Sequence, residues 1–242
     1  MGIAHAQQSR KVYRIAIVHP STPAADLTQA SRGSIATGAG NSVASRPGGN
    51  ITGVFVGLGD EQMGKRLQLL KQMMPQAYRL AILEPREIPN QNNAAQLEFS
   101  RMTGLTRVGS PFNRPMDETK YRRLVAALVP EGAEEIFVSD APENVTNLGL
   151  IIELAEKGRL PAMDPYREFV EAGARMSCGA DLRELGARAA NMAGQILKGA
   201  RADEIAVFLP TKFSLTINLR TAKALGLTVP RELLATADEV IK

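Results

Sequence analysis

Among 242 residues there is one cysteine, there are two histidines and there is no tryptophan. A lone Cys178 can form neither an internal disulfide nor a thiolate metal site. His5 and His19 stand at no ligand spacing, which argues against metal catalysis, and no cofactor is expected. Aromatic residues make up only 5%, which argues against a carbohydrate-stacking face. No stretch approaches the ~18 uncharged apolar residues of a membrane span. Basic blocks are missing too. The surplus of 29 Lys+Arg over 25 Asp+Glu is spread through mixed-sign segments such as Glu61 with Lys65-Arg66 and Glu118 with Arg122-Arg123, so no nucleic-acid partner is expected.

Catalytic motifs are absent as well. No G-x-S-x-G elbow accompanies His19, which reads as a strand-end residue before Pro20, and no Gly-Lys-Ser/Thr phosphate loop occurs. Gly38-Ala-Gly40 has neither a third glycine in register nor a strand just before it, so it makes a weak dinucleotide fingerprint. Cys178 has no candidate base nearby and reads as a small buried side chain.

What is present is the composition of a globular chain, 44% hydrophobic and 22% charged, long enough for one or two domains. Ala4-His5-Ala6 before Gln7-Gln8 has the small-x-small pattern of a secretory cleavage site without its apolar core, alternatively a chance pair of alanines. Val12–Val18 reads as a strand, and residues 20–45 show no helical or strand period.

From residue 49 short β-branched runs alternate with amphipathic helices, the signature of a doubly wound α/β sheet of flavodoxin-like type. Strands are expected at Ile51–Val56, Arg79–Leu83, Thr106–Val108, Glu135–Val138, Pro161–Met163, Arg175–Cys178, Ala206–Leu209 and Ser214–Asn218. Helices are expected over 60–74, 92–102, from 117 to Pro130, over 145–157 and over 182–198, each bounded by Asp, Gly or Pro signals. Two short helices, 221–225 and 231–240, flank Val229-Pro230.

In an open α/β sheet, ligands sit beyond the carboxyl ends of the strands. Here those ends carry Glu84 and Asn90, then Ser139, Asp140 and Asn144, then Asp164, Arg167 and Glu168, and finally Asp181. A solute bearing a carboxylate and an ammonium suits this set, with helix-start N–H groups or Arg167 for the carboxylate and Asp140 or Asp164 for the ammonium. The plain alternative for each residue is a helix cap or a solvated loop.

Several blocks carry a family resemblance: Arg46-Pro-Gly-Gly-Asn-Ile-Thr-Gly53, Gly64-Lys-Arg-Leu-Gln-Leu-Leu-Lys71, Arg167-Glu-Phe-Val-Glu-Ala-Gly173, the run Pro210–Leu227, and Ala237-Asp-Glu-Val-Ile241. Together they resemble the ABC-transporter substrate-binding proteins of the tryptophan/tyrosine (TrpX-like) type. The resemblance implies a type 1 periplasmic binding fold, in which two α/β lobes hold a small amino-acid-like or aromatic organic acid solute. It further implies delivery to an ABC permease and ATPase, a periplasmic location and no enzymatic chemistry. The resemblance carries over Asn90, Asp140, Asn144, Asp164 and, after them, Arg167 as ligand-binding candidates in the second-lobe loops, and the strand-end reading adds Glu84 and Ser139.

The sequence departs from the family pattern between its first strand and Arg46. A single βαβ unit takes about 30 residues, and only 26 lie between Pro20 and Ser45 inclusive. The expected organisation is a leader remnant over 1–10, a truncated first lobe over 11–48, one complete second lobe over 49–178, and hinge-crossing strands with C-terminal helices over 179–242. An exposed lobe interface would invite self-association. The rival reading is a ligand-sensing or self-associating remnant that serves no transporter, and a flavodoxin-like enzyme ranks third.

Overall fold

The computed structural model describes residues 52–54, 60–86, 101 and 103–242. The expected strand Val12–Val18, the connection over 20–45, Asn90, and the expected helix over 92–102 except for residue 101 lie outside the described residues. The described residues fall into two compact units: one is drawn from Val56–Leu185 and Pro210–Lys242, the other includes 52–54 and Gly186–Leu209.

In the first unit seven strands form one sheet: β1 (Arg79–Leu83), β2 (Thr106–Val108), β3 (Glu135–Val138), β4 (Ala162–Asp164), β5 (Met176–Gly179), β6 (Ser214–Asn218) and β7 (Glu239–Ile241). Their order is β2-β1-β3-β4-β5-β6-β7, parallel throughout except between β5 and β6. The helices are α1 (Asp60–Met73), α2 (Glu118–Leu128), α3 (Pro142–Thr146), α4 (Leu148–Lys157), α5 (Arg167–Glu171), α6 (Leu182–Leu197), α7 (Leu219–Ala224) and α8 (Arg231–Thr236).

Alternation along the strands feeds two cores. Ala81, Leu83, Ile136 and Val138 pack with Tyr121 and Val125 of α2, Ile151 and Leu154 of α4 and Phe169 of α5. Leu80, Ile82, Phe137 and Met163 pack instead with Leu67, Leu70 and Met73 of α1 and Leu233 of α8. Strands covered on both faces read as continuous apolar runs, which is why β3 is buried along its whole length. Full burial of a Leu, Ile or Phe side chain contributes about 2 kcal/mol, whereas an exposed ion pair contributes about 0.5 kcal/mol. The two cores therefore hold the sheet, and the surface ion pairs add little.

Helix boundaries follow local chemistry. Asp117 caps α2 by accepting from the Lys120 amide at 2.9 Å. Asp181 accepts from the Arg183 amide at 2.8 Å where α6 begins, and Asn218 accepts from the amides of Arg220 and Thr221 to start α7. At the end of β5, a Cβ placed on Gly179 would stand 1.8 Å from the Pro165 carbonyl oxygen. Only glycine admits the β4–α5 connection at that position.

The structure corrects several sequence expectations. Strand 161–163 begins one residue later, at Ala162; Pro161 has no N–H to give, and its carbonyl accepts from Ile136 at 2.9 Å. Strand 175–178 likewise runs from Met176 to Gly179. The helix expected over 145–157 is two helices broken at Asn147, which leaves helical geometry at φ −105°, ψ 23°. The helix expected over 231–240 stops at Thr236 and gives way to β7; the Asp238 amide donates to the Leu215 carbonyl while the Leu215 amide donates to the Asp238 carboxylate, both at 2.9 Å. Helix α5 was not expected at all.

The second unit contains the later part of α6 and a 3-10 turn over Ala202–Glu204. The strand expected at Ala206–Leu209 is reduced to one parallel bridge between Val54 and Phe208, where the Phe208 amide donates to the Gly53 carbonyl at 2.8 Å. The Thr52 hydroxyl donates to the Ile205 carbonyl at 2.8 Å, and the Arg188 guanidinium lies 4.7 Å from the Phe208 ring centre.

Candidate functional site

The carboxyl ends of β1, β3, β4 and β5 carry two buried polar nodes. The first is built on Asn144 of α3, which is fully buried. Its amide nitrogen donates to the Leu83 carbonyl (2.9 Å), the Ser139 carbonyl (3.1 Å) and the Ser139 hydroxyl (3.0 Å), and its oxygen accepts from the Tyr121 hydroxyl at 2.8 Å. Burial, with Glu143 adding to it, pushes the Tyr121 phenol up, so it stays a donor. Both ends of the Asn144 amide are thus committed to joining α2, β1 and β3. The Ser139 hydroxyl accepts from Asn144. Asp140, half-buried, follows directly.

The second node is built on Arg66 of α1 and Asp164, the last residue of β4, both fully buried. The Arg66 guanidinium lies over the Phe137 ring, 4.1 Å from its centre, and its Nη2 donates to the carbonyls of Val138 (2.9 Å) and Met163 (3.4 Å). Among the described residues its Nε and Nη1 make no hydrogen bond, nor does either oxygen of Asp164, the Tyr166 hydroxyl or the hydroxyl of Ser177, which pairs in register with Asp164. Burial raises Asp164 to about 7, against the pull of Arg66 and then Arg175. Burial lowers Arg66 to about 10, opposed by Asp164 and Asp140. Toward the amino end, Arg175 meets Glu135 at 3.4 Å, and burial lifts Glu135 to about 7 despite that partner.

The other residues expected at the site are engaged elsewhere or lie outside the description. Glu84 forms an ion pair with Arg107 of β2 at 2.7 Å. Arg167 bonds Glu171 and Glu239, both at 3.0 Å, on the surface. Asn90 lies outside the described residues. The geometry therefore brings Ser139, Asp140, Asn144 and Asp164 to one sheet edge.

Sequence reasoning missed Arg66, Tyr166 and Ser177. One signal for Arg66 was available: it falls at helical spacing with Met63 and Leu70, on the stripe of α1 that faces the core. An acceptor carboxylate at Asp140 beside a donor hydroxyl at Ser139 matches the ammonium and carboxylate of a zwitterion. Burial keeps the Cys178 thiol protonated and poorly nucleophilic. No cluster of three metal-ligating side chains occurs among the described residues.

A family model described as ABC transporter substrate binding protein matches residues 39–241. A tyrosine-binding protein of Clostridioides difficile (strain R20291) is 22% identical over 184 residues, which cover 75% of this chain and 51% of that protein. The chain thus spans about half the length of that curated relative. Among solved structures, the ABC domain from Streptococcus pneumonia in complex with L-Trp superposes with a TM-score of 0.67 at 24% identity, covering 82% of this chain and 67% of that one. A conserved domain protein from Vibrio cholerae gives a TM-score of 0.66 at 22% identity, covering 80% and 64%. At these identities the superpositions establish a shared fold.

Proposed function

The chain belongs to the family of ABC transporter substrate binding proteins, and from that premise we propose that it binds a small amino-acid-like solute, an aromatic amino acid first among them, at the carboxyl edge of its sheet. The family is one of solute-binding proteins, and its architecture is the type 1 periplasmic binding fold. The match over residues 39–241 is the observation that carries the reading. Two relatives supply its chemistry: one is a tyrosine-binding protein, and the other was solved with L-Trp.

Within the site, Asp140 receives the solute ammonium and the Ser139 hydroxyl donates to its carboxylate. Asn144 holds Ser139 in place, and Asp164 stands behind as a buried charge. Glu84 and Arg167, already paired, flank the site without touching the solute, and Asn90 remains a candidate contact. We further read residues 11–48 as a shortened first lobe and residues 49–178 as the second, followed by hinge strands and C-terminal helices. The protein works outside the cytoplasm and delivers its solute to an ABC permease and its ATPase.

Thermal unfolding in the presence of L-tyrosine, L-tryptophan, aliphatic amino acids and sugars tests this reading. A solute at 100 times its dissociation constant stabilises by about 2.7 kcal/mol. An upward shift with an aromatic amino acid and none with sugars is expected; no shift with any amino acid contradicts the proposal.

A further inference from the structure

Among the described residues, Arg66 is the one buried cation that touches the carboxyl ends of two neighbouring strands. Its Nη2 bridges the carbonyl of Val138, the last residue of β3, and that of Met163, next to last in β4. The paired register of β3 and β4 ends at Phe137 and Met163, so the ladder no longer holds the chains together where the two loops depart. One loop carries Ser139 and Asp140; the other, Pro165 and Tyr166, follows Asp164 at the end of β4. The guanidinium occupies that point, stacked on Phe137 and attracted by the carboxylates of Asp140 and Asp164. A planar fork with fixed donor directions suits this position, and a flexible ammonium does not.

We propose that Arg66 is the positioning residue of the solute site: by bridging Val138 and Met163 it fixes the separation of the Ser139–Asp140 loop from the Pro165–Tyr166 loop. The proposal rests on the solute site described above. Its action is separate from the solvation of charge, because the hydrogen bonds go to backbone carbonyls that no counterion replaces. Removing the guanidinium has two consequences that can be read apart. Asp164 loses its counter-charge, which lowers the stability of the whole unit. The two strand ends also lose their bridge, which loosens the two loops alone.

The test is amide hydrogen exchange on the full chain, read at two amides of the carboxyl edge and two of the amino edge. Ser139 donates to Leu83 (3.1 Å) and Phe169 to Tyr166 (3.1 Å); at the other edge Glu134 donates to Arg79 (2.9 Å) and Thr106 to Tyr78 (2.6 Å). In Arg66→Met, exchange at Ser139 and Phe169 is expected to rise at least tenfold relative to that at Glu134 and Thr106. Arg66→Met/Asp164→Asn removes both charges and is expected to recover the melting temperature without recovering protection at Ser139. In Arg66→Lys a single ammonium reaches one carbonyl, and a smaller rise at the same two amides is expected; this variant decides the matter if Arg66→Met does not fold.

Equal acceleration at all four amides, unchanged exchange at Ser139, or recovery of Ser139 protection in the double variant would overturn the proposal. Binding of L-tyrosine and L-tryptophan is measured on the same proteins, with a tenfold or greater loss expected in Arg66→Met. A wild-type chain that binds neither contradicts the solute reading, and the exchange pattern still decides the role of Arg66.

Discussion

Two buried polar nodes lie along one sheet edge, and they differ in how far their hydrogen bonding is completed. Around Asn144 the amide is used at both ends, tying Tyr121, Leu83 and Ser139 together. Around Asp164 both carboxylate oxygens, the Tyr166 hydroxyl and two nitrogens of Arg66 have no hydrogen-bond partner among the described residues. A completed network fixes one conformation, whereas an incomplete one in a low-dielectric interior responds strongly to protonation and to small movements. The first node sets where Ser139 stands, and the second makes the neighbouring loops sensitive to charge.

The contrast can be broken from either side. The largest effect is expected from Gly179→Ala, whose methyl would meet the Pro165 backbone oxygen at 1.8 Å and drive β5 away from the loop after Asp164. A loss of about 3 kcal/mol in chemical denaturation is expected, from overpacking against backbone that cannot yield. Asn144→Ala removes the completed node and leaves the buried Tyr121 hydroxyl without its acceptor, while the Leu83 carbonyl keeps only the Ser139 amide. A buried group left unpaired costs about 1–3 kcal/mol, so a loss of about 2 kcal/mol is expected by the same measurement.

The incomplete node shows itself as a pH dependence of opposite sign to ordinary acid denaturation. Asp164 titrates at about 7 in the folded state against an ordinary 3.8, and Glu135 at about 7 against 4.5. Across that interval the folded protein keeps protons that the unfolded chain has released, so their contribution is complete below about pH 4 and is lost as the pH rises to 7. The melting temperature is therefore expected to be higher at pH 5 than at pH 8. Asp164→Asn should flatten this slope by raising the melting temperature at pH 8 and changing it little at pH 5. A wild-type melting temperature that climbs from pH 5 to pH 8 would remove the second node from the account.

Much of the sheet was legible because its signals are local. The bounds of β1, β2, β3 and β6 match runs that stand out in the sequence, and α2 begins after Asp117 and ends two residues before Pro130. The end of the chain was misread because β7 owes its form to Asp238 pairing with Leu215, which lies 23 residues earlier. The position of Ser139, Asp140 and Asp164 at strand ends was legible, because strand signals are local and an open sheet offers its binding edge there. Arg66 could not be placed there, because its contacts with Val138 and Met163 span 72 and 97 residues and exist only once α1 has packed on the sheet. Nor does the sequence tell a completed polar side chain from an open one: Asn144 and Asp164 look alike as polar residues near strand ends, and only their partners separate them.

The central claim is that Ser139 and Asp140, held by these two nodes, take an amino-acid-like solute. Titration calorimetry of L-tyrosine and L-tryptophan against the wild-type chain and Asp140→Asn tests it most directly. Binding of at least one of the two by the wild type is expected, weakened about tenfold or more in Asp140→Asn, corresponding to about 1.4 kcal/mol. Absence of binding in the wild type, or equal affinity in the two proteins, would contradict it.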